Sequence, residues 1–415
     1  VSYLEAYQIT GDAFFAGVAR RTLDYVLRDM TDREGGFYSA EDADSVVDPA
    51  KPKEKSEGAY YIWRHSEIET LLGEEAARRF GRHYGVEPDG NVREDPHSEF
   101  TGRNILFEAQ PSGDDEDLAE ARAKLLAARS RRVRPHLDDK VLTAWNGLMI
   151  SALAKGGAIL AEPRYLAAAS RAAGFILTRL YDPKRGGLLR RYRAGESAIP
   201  GFLDDYAFFV QGLLDLYEAS FHLTHLQQAV RLTEKQIALF ADEKAGGFFS
   251  AAPGDASLVL RIKEDYDGAE PAGNSVAALN LLRLAQITDR KDFREHADRL
   301  LRAFSRRVAA SPLTAPQLLV AGDFRLAKPK QIILAGDPHA DDTALLLRRL
   351  HERFVPGRIV LLLNDESRSY LAGYLPVIEN MSRLGGRATA YVCEDYACKL
   401  PTADPDKFAD LLSAK

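Results

Sequence analysis

The sequence predicts a mainly α-helical protein, an (α/α)6-type helical toroid followed by a small α/β segment. The first observation is a set of helices that are apolar on nearly every face, of which Arg134–Lys155 is the clearest. Such a helix is an inner helix, because a surface helix needs a polar face. The second observation is recurrence. Gly147, Gly212 and Asn280, each followed by an apolar pair, lie 65 and 68 residues apart, and periods of this length indicate repeated supersecondary units.

The chain begins on the same pattern. Ser2–Ile9 has the spacing of an inner helix, and Asp12–Met30 that of its amphipathic outer partner. The later inner helices are also followed by charged, amphipathic ones, at Glu162–Tyr181, His225–Asp242 and Lys291–Val308. Paired glycines close three units, at positions 35–36, 186–187 and 246–247. Because the helical pattern starts at once from Val1, we expect the toroid to be incomplete at its N-terminus.

Strand signals appear in two places. Gly36–Ala40 and the alternating run Ala59–Trp63 are predicted to form a hairpin with a long tip. Beyond Pro312, the short apolar runs Gln331–Ala335 and Arg358–Leu363 flank an amphipathic stretch, which is the pattern of a βαβ unit. A third run, 388–393, and a closing helix complete this layer. We therefore predict two domains, a toroid at 1–320 and an α/β segment at 321–415.

Composition excludes several classes of partner. The chain has 55 Lys and Arg against 61 Asp and Glu, a net charge of −6, and no sustained basic block. This balance argues against nucleic acid or an anionic membrane surface as the main partner. No apolar run approaches the roughly 18–20 residues that cross a bilayer. Cys393 and Cys398 cannot staple a chain of this size, so we expect them to pack as thiols in a reducing cytoplasm.

Acidic residues collect where inner helices begin or where turns end, and aromatic residues lie near them. In a helical toroid these ends converge on one mouth, so we expect a shared pocket. Aromatic faces stack on sugar rings, and paired carboxylates suit general acid/base catalysis because their pKa values can be driven apart. The predicted catalytic residues are Asp138, Asp139, Asp204, Asp205 and Glu270. The predicted substrate-binding residues are Asp42, Asp44, Glu57, Tyr61, Trp63, His136, Trp145, Asn146, Tyr206 and Asn274.

The structural alternative is that these acids only cap helices and turns, as acids before helices often do. His136 beside Asp138 and Asp139 has suitable ligand types for a metal, but no other histidine falls at a recognisable ligand spacing. The sequence GDPHADD lacks the closely spaced glycines of a phosphate loop. We therefore predict no metal and no cofactor.

Several stretches together resemble one family: SYLEAYQITGD, GGFYSAEDADS, EGAYYIW, TGRNIL, RPHLDDKVLTAWNGLMISALA, GFLDDYA, PAGNSVAALNLLRL and CEDYACKLP. They resemble the thioredoxin-domain-containing proteins of the animal spermatogenesis-associated and bacterial YyaL type. The resemblance implies a toroid similar to six-hairpin glycosidases and N-acylglucosamine 2-epimerases, with a small α/β segment behind it. It also implies a thioredoxin-like domain with a Cys-x-x-Cys motif in the parent protein, which this chain does not contain.

Two functions are compatible with these observations. The first is a carbohydrate-binding or glycosidase-like barrel that takes a small saccharide in an acid- and aromatic-lined pocket. Epimerases of similar fold use histidines for proton transfer, and here only His136 is near, which favours hydrolysis or binding. The second function is a non-catalytic scaffold that presents clients to the family's thioredoxin-like domain.

Overall fold

The computed structural model describes residues 1–96, 99–110, 116–254, 259–394 and 397–413. The chain divides into two compact units, which are described separately. The first unit is Val1–Ser39 with Lys140–Lys415, and the second is Ala40–Asp139. Among the described residues, no helix combines the length and the apolar character needed to cross a membrane.

The described residues form fifteen α-helices and twelve short strands. The helices are α1 (Ser2–Thr10), α2 (Ala13–Asp29), α3 (His65–Leu72), α4 (Glu74–Tyr84), α5 (Glu116–Arg129), α6 (Thr143–Ile159), α7 (Pro163–Arg179), α8 (Leu203–Ser220), α9 (Leu223–Phe240), α10 (Gly273–Thr288), α11 (Lys291–Ala310), α12 (Pro316–Leu326), α13 (Asp341–His351), α14 (Asp365–Ala372) and α15 (Pro405–Ser413). The strands are β1 (Ala40–Glu41), β2 (Asp44–Val46), β3 (Lys55–Glu57), β4 (Leu137–Asp138), β5 (Val141–Leu142), β6 (Tyr181–Asp182), β7 (Gly187–Arg193), β8 (Glu196–Pro200), β9 (Lys330–Ala335), β10 (Arg358–Leu363), β11 (Thr389–Glu394) and β12 (Ala397–Cys398).

The first unit is built from helical hairpins. In three of them an inner helix, α6, α8 or α10, packs on the outer helix that follows it, and α1 packs on α2 in the same way. The inner helices also pack on one another, with α8 between α6 and α10. Helix α8 is buried on almost every side, including Phe208, Phe209 and Leu213. The predicted mainly α-helical fold of inner and outer helices, with a small α/β segment behind it, is confirmed.

Glycines allow the inner helices to approach closely. A Cβ atom on Gly147 of α6 would overlap the main chain of Phe208 in α8, and one on Gly212 would lie 2.6 Å from the carbonyl oxygen of Gly147. Asn280 occupies the corresponding place on α10, where its Nδ2 donates to the carbonyl of Ala207 at 2.7 Å. The residues that mark the sequence repeat are therefore the residues at the helix crossings.

The α/β segment forms one sheet with the strand order β10-β9-β11-β12. Strands β9 and β10 are parallel and joined through α13, whereas β11 runs antiparallel to β9. Apolar side chains from the sheet, α13 and α15 share a core with Phe221, which follows α8. This segment lies in the same compact unit as the hairpins, and the boundary between residues 320 and 321 stays a prediction.

The expectation of unpaired cysteines was wrong. Cys393 and Cys398 form a disulfide bond that joins the antiparallel partners β11 and β12. Residues opposite each other in an antiparallel pair have closely spaced Cβ atoms, which spacing along the sequence does not reveal. The bond closes a short hairpin and does not connect distant parts of the chain.

The second unit has its own core, in which Trp63, Ile68 and Phe80 pack with Leu118 and Leu125 of α5. The predicted pairing of Gly36–Ala40 with Ala59–Trp63 was wrong. Strand β2 pairs instead with β3, and β1 pairs with β4. The second unit is an insertion in the sequence of the first. The two segments of the first unit meet where the insertion begins and ends, since Ser39 Oγ donates to the carbonyl of Lys140 at 2.7 Å.

We predict that Gly147→Ala destabilises the protein by roughly 1–3 kcal/mol, because the added methyl group forces α6 and α8 apart. Gly174→Ala is the matched control. Gly174 is an exposed position within α7, and nothing lies within 4 Å of its added Cβ. This change should stabilise the protein by up to about 1 kcal/mol through helix propensity. Chemical denaturation of both variants measures the difference, and equal stabilities would contradict the close crossing.

Candidate functional site

Asp205 links the beginnings of two inner helices. Its Oδ2 accepts from the amide of Phe202 at 2.9 Å, at the start of its own helix, and its Oδ1 accepts from Ala144 in α6 at 3.1 Å. Arg190 of β7 lies 3.4 Å from Oδ2. The Asp205 side chain has no exposed surface, and burial raises its pKa to about 7 although Arg190 opposes the rise. Asp205 is thus placed to cap helices beneath the surface.

Asp204 reaches the third inner helix. Its carboxylate accepts a hydrogen bond from the amide of Gly273, the first residue of α10. A Cβ on Gly273 would overlap Asp204 Oδ1, so this approach requires glycine. Burial, followed by the negative charges of Glu264 and Glu270, raises the pKa of Asp204 to about 6. A carboxyl group with this pKa exchanges its proton near neutral pH.

Asp204 lines a cavity of about 420 Å³, together with the loop that precedes α10. The loop contributes the acids Glu264, Asp265 and Glu270 and the aromatic ring of Tyr266, which is 60% exposed. Beside the cavity, Trp145 Nε1 donates to Glu270 Oε2 at 2.8 Å, while 44% of the Trp145 surface remains exposed. An aromatic face is therefore held in place next to several carboxylates.

The charges of this site are only partly compensated. Arg307 pairs with Asp265 at 3.0 Å, and Lys263 pairs at 2.6 Å with Asp242 of the preceding turn. Within the described ranges, Asp204, Glu264 and Glu270 form no ion pair. The cavity therefore carries an excess of negative charge. Across all the residues that the structure describes, no group of three or more His, Cys, Asp or Glu side chains could hold a metal ion.

Three predicted substrate-binding residues hold turns, and their contact with a substrate stays a prediction. The side chain of Asn146 accepts from the amide of Phe37 at 2.8 Å and donates to its carbonyl at 3.0 Å. Asn274 makes the same pair with Phe248, at 2.8 and 2.9 Å. The hydroxyl of Tyr206 accepts from the amide of Leu188 at 2.8 Å. Each clamped residue follows a pair of glycines, so these buried side chains are engaged by the fold.

The remaining predicted residues belong to the second unit. Asp44 and Glu57 lie opposite each other in the β2–β3 pair, and both are exposed. Asp42 donates its amide to the carbonyl of the exposed residue His136 at 2.8 Å. Partly buried Asp138 pairs with Ala40, and Asp139 closes the unit.

The aromatic residues of the second unit stack with arginines. The Tyr61 hydroxyl donates to Glu41 at 2.9 Å, and Arg129 lies 5.0 Å from the Tyr61 ring centre. Trp63 is 3% exposed, and Arg132 lies 4.1 Å from its ring centre. Trp63 is therefore a core residue. The prediction that this unit shares a pocket with Asp204 stays a prediction.

Two basic residues of the first unit were missed. Arg190 lies on β7 among other arginines, and Lys263 lies in an irregular loop. Neither position has a spacing or motif that separates it from ordinary surface basic residues. Only the fold shows that they adjoin Asp205 and the cavity.

We predict that Asp204→Asn reduces the pH dependence of stability between about pH 4 and pH 7. The pKa of Asp204 is higher in the folded chain than its ordinary value of 3.8. The folded state therefore binds more protons there, and the free energy of unfolding falls as pH rises through about 6. Asparagine keeps an oxygen for the Gly273 amide but does not titrate. In the variant, the free energy of unfolding should fall by on the order of 1–2 kcal/mol less over this pH range than in the wild type. Urea denaturation at several pH values measures the difference.

Asp242→Asn is the control for this measurement. Hydrogen bonds from Lys263 and from the turn amides lower the pKa of Asp242. The stability that Asp242 contributes is therefore lost only as pH falls below about 4. Asp242→Asn should therefore leave the slope of the free energy of unfolding against pH unchanged between pH 4 and pH 7. Equal slopes in the wild type and Asp204→Asn would show that Asp204 does not carry the effect.

Comparison with known proteins gives relatives along nearly the whole chain. No protein-family model matches it. Human spermatogenesis-associated protein 20 is 40% identical over 99% of the chain, and an uncharacterised protein of Caenorhabditis elegans is 32% identical over 93% of it. The chain spans 56% of the length of each of these relatives.

Solved structures with a detectable likeness include sugar-processing enzymes. A cellobiose 2-epimerase of Bacillus thermoamylovorans is 11% identical, with a TM-score of 0.35 over 71% of this chain and 73% of that one. A family 76 α-mannanase of Bacteroides thetaiotaomicron is 14% identical, with a TM-score of 0.35 over 73% of each chain. At the level of sequence, the chain is similar over nearly its whole length to spermatogenesis-associated protein 20 of human and mouse.

Proposed function

We propose that the cavity at the beginnings of α8 and α10 binds a saccharide and processes it by general acid catalysis. The observation that carries this proposal is the exposed indole of Trp145, which Glu270 holds at 2.8 Å beside the acids of the cavity. An exposed tryptophan fixed in one orientation supplies a flat apolar face for the C–H side of a sugar ring. Carboxylates around it accept hydrogen bonds from sugar hydroxyls.

The acids have different environments, which is the arrangement that acid/base chemistry requires. Asp204, whose pKa is raised to about 6, serves as the proton donor to a leaving oxygen. Glu270 and Glu264 stabilise the positive charge that develops on the sugar, or activate water. Asp205 lies beneath these groups and acts as a positioning residue through its bonds to Phe202 and Ala144. Catalytic roles for Asp138 and Asp139 stay a prediction.

The charge of the cavity favours a neutral or amino sugar. Asp204, Glu264 and Glu270 are not compensated by an ion pair among the described residues, and Lys263 already pairs with Asp242. A uronic acid or a sugar phosphate would bring further negative charge into this site and would be repelled. We therefore expect the affinity of a saccharide to depend more on its charge than on the stereochemistry of its ring.

We predict that a neutral saccharide raises the melting temperature of the protein in its full natural length and that Trp145→Ala removes this shift. A ligand that binds only the folded state stabilises it by mass action. The test uses neutral, amino and uronic saccharides, first by thermal shift and then by calorimetry. Loss of the indole should weaken binding about tenfold or more, which corresponds to at least about 1.4 kcal/mol.

A bound saccharide that is turned over allows the acid to be tested. Asp204→Asn should lower kcat about 100-fold or more while changing affinity far less, because general acid catalysis contributes about that much to the rate. Asp298→Asn is the control, since Asp298 of α11 pairs with Arg325 away from the cavity. Binding without turnover would limit the site to recognition. Failure of every saccharide to bind would favour the scaffold that presents clients to a thioredoxin-like domain.

A further inference from the structure

A second cavity lies at the other ends of the inner helices, where they meet the α/β segment. Its volume is about 280 Å³, close to the lower limit of about 300 Å³ for ligand pockets. Ile159 and Ala219 bring the last turns of α6 and α8 to it. The loop residues 355–357, which lead into β10, and Arg358, the first residue of β10, line another side. All of these residues belong to the first unit.

Most charged side chains around this cavity are paired. Lys155 lies 3.5 Å from Glu5. Arg283 of α10 pairs with Asp215 at 2.8 Å and with Glu218 at 3.0 Å, and both of those acids are on α8. These pairs join the inner helices to one another near their C-terminal ends. They leave little capacity to bind a further charged group.

Among the described residues, the two charged lining side chains that form no ion pair are Asp323 of α12 and Arg358, and Arg358 is the cation. Its Nη1 donates to the main-chain carbonyls of Leu350 at 3.2 Å and Arg353 at 3.5 Å. Within the described part of the chain, no carboxylate forms an ion pair with it. Burial lowers the pKa of Arg358, and the negative charges of Glu218, Asp215 and Glu5 only partly oppose this. A guanidinium withdrawn from water without a directly paired anion carries an electrostatic cost. An anion in the cavity would remove that cost.

His351 supplies a second polar group without a partner. Its Nδ1 is buried and makes no hydrogen bond in the described structure. Burial, together with the charge of Arg358, lowers the pKa of His351 to about 3, so the imidazole is neutral near pH 7. A neutral imidazole can donate one hydrogen bond from a ring nitrogen. His351 lines the cavity, but Nδ1 itself has almost no accessible surface, so a ligand reaches that atom only after the ring rotates. Gln8 fixes the main chain here by donating to the carbonyl of His351 at 2.6 Å.

The rest of the wall is apolar. Leu279 of α10, Val320 and Phe324 of α12, and Val355 of the loop line the cavity. Val320 is 51% exposed, so apolar surface is accessible from solvent here. A ligand for this cavity therefore needs an apolar body as well as an anionic group.

We propose that this cavity binds a small organic monocarboxylate, with its carboxylate on Arg358 and His351 and its apolar body against Phe324 and Val320. The planar guanidinium recognises a carboxylate through two parallel hydrogen bonds. The negative charges of Glu218, Asp215 and Glu5 act on Arg358 and repel any anion in the cavity. They repel a doubly charged phosphate more strongly than a singly charged carboxylate. This site is separate from the saccharide cavity, and the proposal does not depend on it.

Calorimetry on the protein in its full natural length tests the proposal with defined probes. The probes are benzoate and hexanoate, their neutral amides, and inorganic phosphate. We expect each carboxylate to bind at least about tenfold more tightly than its amide, as a charge-assisted pair requires. Arg358→Gln should abolish this preference, since glutamine can still donate to the carbonyl of Leu350 but carries no charge. Arg325→Gln on α12, which removes an arginine paired with Asp298, should leave it unchanged.

Ala219→Phe provides a second test that does not disturb Arg358. The added ring occupies the cavity and should block carboxylate binding, with circular dichroism showing that the fold is kept. Equal affinity for benzoate and benzamide would overturn the proposal, as would tighter binding of phosphate. No binding of either carboxylate at about 10 mM, weaker than ordinary small-ligand affinity, would also overturn it. Persistence of binding in both Arg358→Gln and Ala219→Phe would have the same effect.

Discussion

The structure depends on two neighbouring carboxylates at the start of α8. Backbone amides in the first turn of a helix have no partner within that helix, and here three such ends are packed side by side. The Asp205 carboxylate accepts hydrogen bonds from backbone amides at the starts of α6 and α8. The Asp204 carboxylate accepts one from the first backbone amide of α10. One dipeptide thereby joins three inner helices. The negative charge that the candidate site uses is the same charge that holds the helix ends together.

The turn clamps show why residue type alone did not identify the site. Asn146, Tyr206 and Asn274 occur at the same helix starts as the acids, yet each is committed to the residue that follows a pair of glycines. Polar side chains at these ends have two possible directions, into the turn or into the cavity. Buried backbone amides need hydrogen-bond acceptors, so most of these side chains bind the amides of the turns. Asp204, Glu270 and Trp145 are those that also border the cavity or its rim.

Long-period features were predictable from the sequence, and short-range geometry was not. The all-round apolar character of α6, α8 and α10 predicted inner helices because a helix without a polar face must be covered. The apolar runs of β9 and β10 predicted a βαβ unit for a similar reason. The pairing of β2 with β3 depends on register, which the polar sequences of those two strands do not specify. The Cys393–Cys398 bond depends on the pairing of β11 with the two-residue strand β12, which is too short to show a strand pattern. Arg190 carried no signal, because only tertiary structure brings it to Asp205.

The first unit is discontinuous in sequence, and a hydrogen bond between Ser39 and Lys140 joins the ends of its two segments. Leu4 and Leu23 of the first hairpin pack near Gly156 of α6, although the whole of Ala40–Asp139 intervenes along the chain. While that intervening segment is unfolded, this contact closes a long loop and carries the corresponding entropy cost. Once the segment folds with its ends together, most of that cost has been met. The two units are thus coupled through chain connectivity, and the attachment of the first hairpin is the step that contributes the longest-range contacts to folding.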